Sequence, residues 1–126
     1  MYNYCFITDK KYINSTLCIL SKIKKRSIFV LCLDQISSDI INKFDEKIKT
    51  FKISDILEKS QDQLLRDTRD KRGYVFTLKS FFLDYLFTVS KEENYFIYLD
   101  SDLFFFSDIQ DFEIEIERVN GSIILS

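Results

Sequence analysis

Two acids separated by one small residue close an apolar run, Tyr95-Phe-Ile-Tyr-Leu-Asp-Ser-Asp-Leu-Phe-Phe-Phe106. The run reads as a buried strand. Side chains alternate faces along a strand, so Asp100 and Asp102 point the same way. Two carboxylates on one side of a strand end repel each other unless a cation sits between them, and a divalent metal carrying a phosphate ligand supplies one. An arbitrary Asp-x-Asp is a solvated turn. Here Leu103-Phe-Phe-Phe106 follows at once and pins the acids between two apolar runs.

What the chain lacks narrows its chemistry. None of its 126 residues is histidine, which removes Ser-His-Asp and Cys-His nucleophiles and His-ligated metals within these residues. A metal site must then use oxygen donors, so Mg²⁺ or Mn²⁺ is expected rather than zinc. Cys5, Cys18 and Cys32 are widely spaced, each in an apolar run and without a C-x-x-C pair. They read as small core residues of a protein in a reducing compartment. Charged residues make up 30% with signs interleaved and a net charge of -2, so no basic stripe invites nucleic acid. No apolar stretch is long enough to span a bilayer and no targeting segment is visible, so a cytoplasmic location is expected. Hydrophobic residues reach 46%, enough for the core of one domain or part of one.

The elements that must position the acids follow from periodicity. Tyr4-Cys-Phe-Ile-Thr8 predicts a buried strand stopping at Asp9, and Ile13, Leu17 and Leu20 predict a helix after it. Ser27-Ile-Phe-Val-Leu-Cys-Leu33 is continuously apolar, as in a strand buried on both faces of a parallel sheet, and ends at Asp34. Ser38 is the expected cap of a second helix carrying Ile40, Ile41, Phe44 and Ile48. Lys49 to Ile53 alternates like a third strand, with Ser54 or Asp55 capping a short turn. Gln61 to Lys71 is polar, reads as surface helix or loop, and closes at Gly73. Thr77 to Val89 is the clearest helix, with Leu78, Phe81, Phe82, Tyr85, Leu86 and Val89 on one stripe. The order β-α-β-α-β-(α)-α-β argues for an α/β sheet with right-handed crossovers. Ligands collect at the carboxyl ends of such strands, where Asp9, Asp34 and the Asp100/Asp102 pair all fall.

Three segments carry a resemblance: Phe6-Ile-Thr-Asp-Lys-Lys-Tyr12, Thr77-Leu-Lys-Ser80 and Tyr98-Leu-Asp-Ser-Asp-Leu-Phe-Phe-Phe-Ser-Asp108. With these the chain resembles the N-terminal half of a GT-A glycosyltransferase, close to the glycogenin and lipopolysaccharide galactosyltransferase group. The resemblance implies a Rossmann-like nucleotide-sugar-binding sheet flanked by helices, ending soon after the Asp-x-Asp strand. It implies a nucleotide-diphospho-sugar donor, a UDP-sugar first, and an acceptor it does not specify. Thr8, Asp9 and Tyr12 would hold base and ribose. Asp100 and Asp102 would hold Mn²⁺ or Mg²⁺ on the diphosphate, with Asp102 the stronger ligand, while Asp100 and Ser101 would also meet the donor. Lys79 would lie near the donor phosphates or sugar.

Each of these has a plainer reading beside it. Tyr12 equally fits the first core-facing aromatic of its helix, Lys79 a solvated lysine, and Arg66, Arg69 and Arg72 a solvated charge cluster rather than a phosphate-binding loop. The family's histidine beyond the Asp-x-Asp is missing, and 24 residues follow Asp102 (126 minus 102). A fragment, a truncated remnant without catalysis, or one piece of a split protein lacking its C-terminal half is therefore the expected alternative. A haloacid dehalogenase-type phosphatase also uses Asp-x-Asp after a strand, but that motif stands near the start of its domain and continues with Gly or Thr.

Overall fold

The computed structural model describes residues 2–23, 26–89, 95–99 and 113. Four strands, β1 (Tyr2–Thr8), β2 (Ser27–Cys32), β3 (Lys49–Phe51) and β4 (Tyr95–Tyr98), form one sheet in the order β3-β2-β1-β4. Every pairing is parallel, with Thr8 opposite Cys32, Leu31 opposite Phe51, and Cys5 opposite Tyr98. That is the α/β architecture the continuous apolar runs predict.

The chain order dictates the layers. From β1 through β2 to β3 each step moves one way along the sheet, and the step to β4 returns past β1. Crossovers of one hand then put the first two helices on one face and the last group on the other. Accordingly α1 (Ile13–Lys22) and α2 (Gln35–Phe44) pack with Tyr4, Phe6, Ile28 and Val30. The connection from β3 to β4 is α3 (Ile53–Ile56), α4 (Lys59–Thr68) and α5 (Lys71–Val89), and it packs with the alternate residues Cys5, Ile7 and Leu31. No helix among the described residues is long and apolar enough to cross a membrane.

Several boundaries differ from the sequence expectation. Asp34, not Ser38, caps α2: its Oδ1 accepts the Ser37 N–H at 2.9 Å, and Ser38 is buried inside the helix. Gly73 does not end a segment but lies in the first turn of α5. Asp70 caps that helix by accepting the Gly73 N–H at 2.8 Å, so α5 starts at Lys71 and not near Thr77. The glycine suits the position because a Cβ there would approach the Asp70 carboxylate to 3.0 Å. On α5 the buried stripe is Tyr74, Leu78, Phe82 and Leu86, while Phe81 and Val89 are exposed. Phe44 is likewise exposed on α2. All three cysteines are free thiols, but Cys18 stands exposed on α1 while Cys5 and Cys32 are core residues.

Glu113 meets partners distant in sequence. It takes both Nε (3.3 Å) and a terminal nitrogen (2.8 Å) of Arg26, and accepts the Tyr4 hydroxyl at 2.8 Å. A bidentate, half-buried Arg–carboxylate pair is among the stronger surface contacts a chain can make.

Candidate functional site

Because all the strands are parallel, their carboxyl ends share one edge, and there the ends of β1 and β2 are stitched together. The Leu33 N–H donates to the Thr8 carbonyl at 2.9 Å. Just beyond, the Lys10 N–H donates to Asp34 Oδ2 at 2.8 Å. Asp34 therefore serves two elements, capping α2 with one oxygen and holding the β1–α1 loop with the other. Burial works to raise its carboxyl pKa, but the N–H bonds from Ser37 and Lys10 and the Lys10 charge prevail and hold it below the ordinary value. A depressed folded pKa contributes stability above the unfolded value, and that stability is lost as pH falls through the folded one. Asp34→Ala is thus expected to cost about 1 kcal/mol at neutral pH. The gap to wild type should close as the carboxylate protonates, which urea midpoints taken from neutral pH downward would show.

The residues leaving β1 form a tight turn. Asp9 Oδ1 accepts the N–H groups of Lys11 (3.0 Å) and Tyr12 (3.1 Å). Thr8 is only 2% exposed, and its hydroxyl lies 2.8 Å from that of Thr16. Thr16 in turn donates to the Tyr12 carbonyl at 3.1 Å. The Thr8 side chain is committed inward, bracing the loop from beneath. Tyr12 is 42% exposed, with the Lys11 ammonium 5.4 Å from its ring centroid, so Ile13 and not Tyr12 is the first core residue of α1.

Lys79 is half-buried and reaches the end of β4. Its ammonium lies 4.5 Å from the Tyr98 ring centroid and 5.8 Å from that of Phe76. The pairing of β4 continues past Tyr98, where the Leu99 N–H donates to the Cys5 carbonyl at 3.0 Å. Asp100, Ser101 and Asp102 follow in sequence and lie outside the described residues, as do Phe104 to Phe106.

Two clefts of about 420 and 410 Å³ open along the edge and share Leu33, Asp34, Ile53 and Arg66. The first lies at the end of β2 against α2, α3 and α4, and the second reaches from Asp9 and Asp34 to the start of α5. Arg66 and Arg69 face them but Arg72, exposed elsewhere, does not; Lys52, Lys59 and Lys71, which periodicity does not single out, do. Arg66 is already engaged, since it pairs with Asp62 at 2.9 Å and its guanidinium lies 4.7 Å over the Tyr74 ring. Tyr74 donates to the same Asp62, and burial followed by that bond pushes its hydroxyl up to about 12.

Among the described residues no group of three or more His, Cys, Asp or Glu could hold a metal ion. The thiols do not offer one either: burial pushes Cys5 up to about 12 and Cys32 up to about 11, so both stay protonated.

The chain is similar to two proteins of Bacillus subtilis (strain 168). It is 26% identical to the uncharacterized protein YfnF, over 83% of this chain and 36% of that protein. It is 31% identical to the uncharacterized protein YfnD, over 64% of this chain and 26% of that protein. The chain thus spans about a third and a quarter of these relatives. No family model and no solved structure matches.

Proposed function

We propose that the chain is the donor-binding part of a metal-dependent glycosyltransferase of the GT-A type, taking a nucleotide-diphospho-sugar, a UDP-sugar first, for transfer to an acceptor. One observation carries this reading. The strand order reverses between β1 and β4, and the ends of these two strands lead into the Asp9–Tyr12 turn and, in sequence, into the acid pair. Ligands of open parallel sheets bind where the order reverses.

In this reading Asp100 and Asp102 hold Mn²⁺ or Mg²⁺, and the metal, when bound, stabilises the charge that develops on the diphosphate as it leaves. Asp9 and Tyr12 meet the base and ribose, with Asp100 and Ser101 beside them. Thr8 supports that contact through its bond to Thr16. Lys79 adds a positive charge at the end of β4. The free thiols of Cys5, Cys18 and Cys32 fit the cytoplasm.

Calorimetric titration with UDP, with and without Mn²⁺, tests the proposal. Binding that requires the metal is expected. Absence of metal-dependent binding overturns the reading and leaves a remnant without donor chemistry. Lys79→Ala should weaken UDP about tenfold, the size of one charge-assisted contact. Lys79→Arg should retain most of the affinity, and the same titration reads both.

A further inference from the structure

We propose that Asp34 is a positioning residue that pre-organises the Asp9–Tyr12 turn for the nucleotide; this rests on the donor-binding reading above. The turn has little packing of its own to fix it. Lys10 and Lys11 are exposed, and Tyr12 is 42% exposed. Its order therefore comes from hydrogen bonds. Those that Asp9 Oδ1 accepts from Lys11 and Tyr12, and the one that Thr16 donates to the Tyr12 carbonyl, are local to the turn and α1. The bond from the Lys10 N–H to Asp34 reaches across from another strand-helix unit, at 2.8 Å.

That bond fixes more than Lys10. The conformation of the turn decides where the Asp9 carboxylate lies, because Asp9 Oδ1 is held by the two following N–H groups. Asp34 itself is fixed, since its second oxygen caps α2 and its strand is paired to β1 through Leu33. A charged acceptor on a rigid junction thus sets the turn in one arrangement before any ligand arrives. Apparent affinity falls by the fraction of molecules in the competent arrangement, so an ordered turn strengthens binding without touching the ligand.

Asp34→Ser and Asp34→Asn separate this role from helix capping. Both residues are good N-caps for the Ser37 N–H. Serine is too short to reach Lys10, and asparagine that keeps its oxygen on Ser37 turns an N–H₂ toward the Lys10 N–H. Two measurements on the 126-residue chain follow: amide hydrogen exchange by NMR without ligand, and UDP titration with Mn²⁺. Exchange at Lys10, Lys11 and Tyr12 is expected to accelerate about tenfold while Phe6, Val30 and Ser37 keep their protection. UDP is expected to bind about tenfold more weakly, as for a turn competent in about a tenth of molecules. Unchanged exchange at the turn, or unchanged UDP affinity in a wild type that binds, overturns the proposal. A wild type that binds no UDP overturns the donor-binding reading instead, and the exchange data then decide by themselves whether Asp34 orders the turn.

Discussion

Phe82→Ala is expected to destabilise the domain by about 3–5 kcal/mol, the cost of emptying a fully buried aromatic site. Phe82 is 0% exposed at the middle of α5, with Leu78 and Leu86 one turn to either side. It belongs to the cluster built by Cys5, Ile7 and Leu31 of the two central strands, and its ring meets that of Phe51 edge-on at 5.7 Å. Truncation leaves a hole against a sheet that cannot collapse into it, because the strands are paired on both sides of Cys5 and Leu31. For a domain whose whole stability is on the order of 5–15 kcal/mol, that is a large share. Urea denaturation should show a lower midpoint at nearly unchanged slope. Phe87→Ala is the control. Phe87 is 55% exposed and meets the Phe96 ring edge-on at 5.0 Å, so its loss should stay near 1 kcal/mol. Equal losses from the two variants would mean that α5 does not pack by its Tyr74–Leu78–Phe82–Leu86 face.

The strands were legible because a parallel sheet covered on both faces demands uninterrupted apolar runs, and Ile28 to Leu33 and Tyr4 to Ile7 are such runs. Helix starts were less legible. Ser38 and Asp34 are both good caps on paper, and the choice between them depends on where β2 lets go, which pairing with β1 decides. Gly73 misleads for a related reason: glycine usually marks a helix end, yet here it admits the Asp70 carboxylate to the first turn. The exposure of Cys18, Phe44 and Phe81 reflects stripes narrower than their apolar composition implies. Arg26 and Glu113 are 87 residues apart, and nothing local in either segment points to the other.

At the site, residue type and place at a strand end were sufficient to bring Asp9 and Asp34 to one edge. Their bonding was not legible, since the contact between Asp34 and Lys10 exists only once β1 and β2 are in register. The same holds for Thr8, whose hydroxyl could face a ligand or the helix above it until α1 is docked and Thr16 takes it. Lys79 shows the reverse case. Its place off the buried stripe suggested a solvated lysine, but β4 lies beside that flank of α5 and supplies the Tyr98 ring.

Asp102→Ala is expected to abolish the Mn²⁺-dependent part of UDP binding, while Asp108→Ala leaves it intact. The cations Lys52, Lys59, Arg69 and Lys71 line the clefts on the β1–β2 side of the edge rather than the end of β4. Asp9 and Asp34 stand at the ends of β1 and β2, Arg66 is committed to Asp62, and Lys79 reaches the Tyr98 ring at the end of β4. In the proposed reading a diphosphate held at Asp100 and Asp102 meets two carboxylates, and a divalent ion bridges them to it. Asp100 and Asp102 are two apart in sequence, the spacing that a strand would put on one side, whereas Asp108 follows after the Phe run in sequence. Changing even a residue that merely orients a metal ligand costs about 10–100-fold, so removing a carboxylate ligand itself should exceed about 100-fold. The metal provides its own control. Without Mn²⁺, wild type and Asp102→Ala should bind UDP equally weakly, and the difference should emerge only as Mn²⁺ is added. Equal metal-dependent binding by the two proteins would remove Asp102 from the metal site and with it the chemistry assigned to the acid pair.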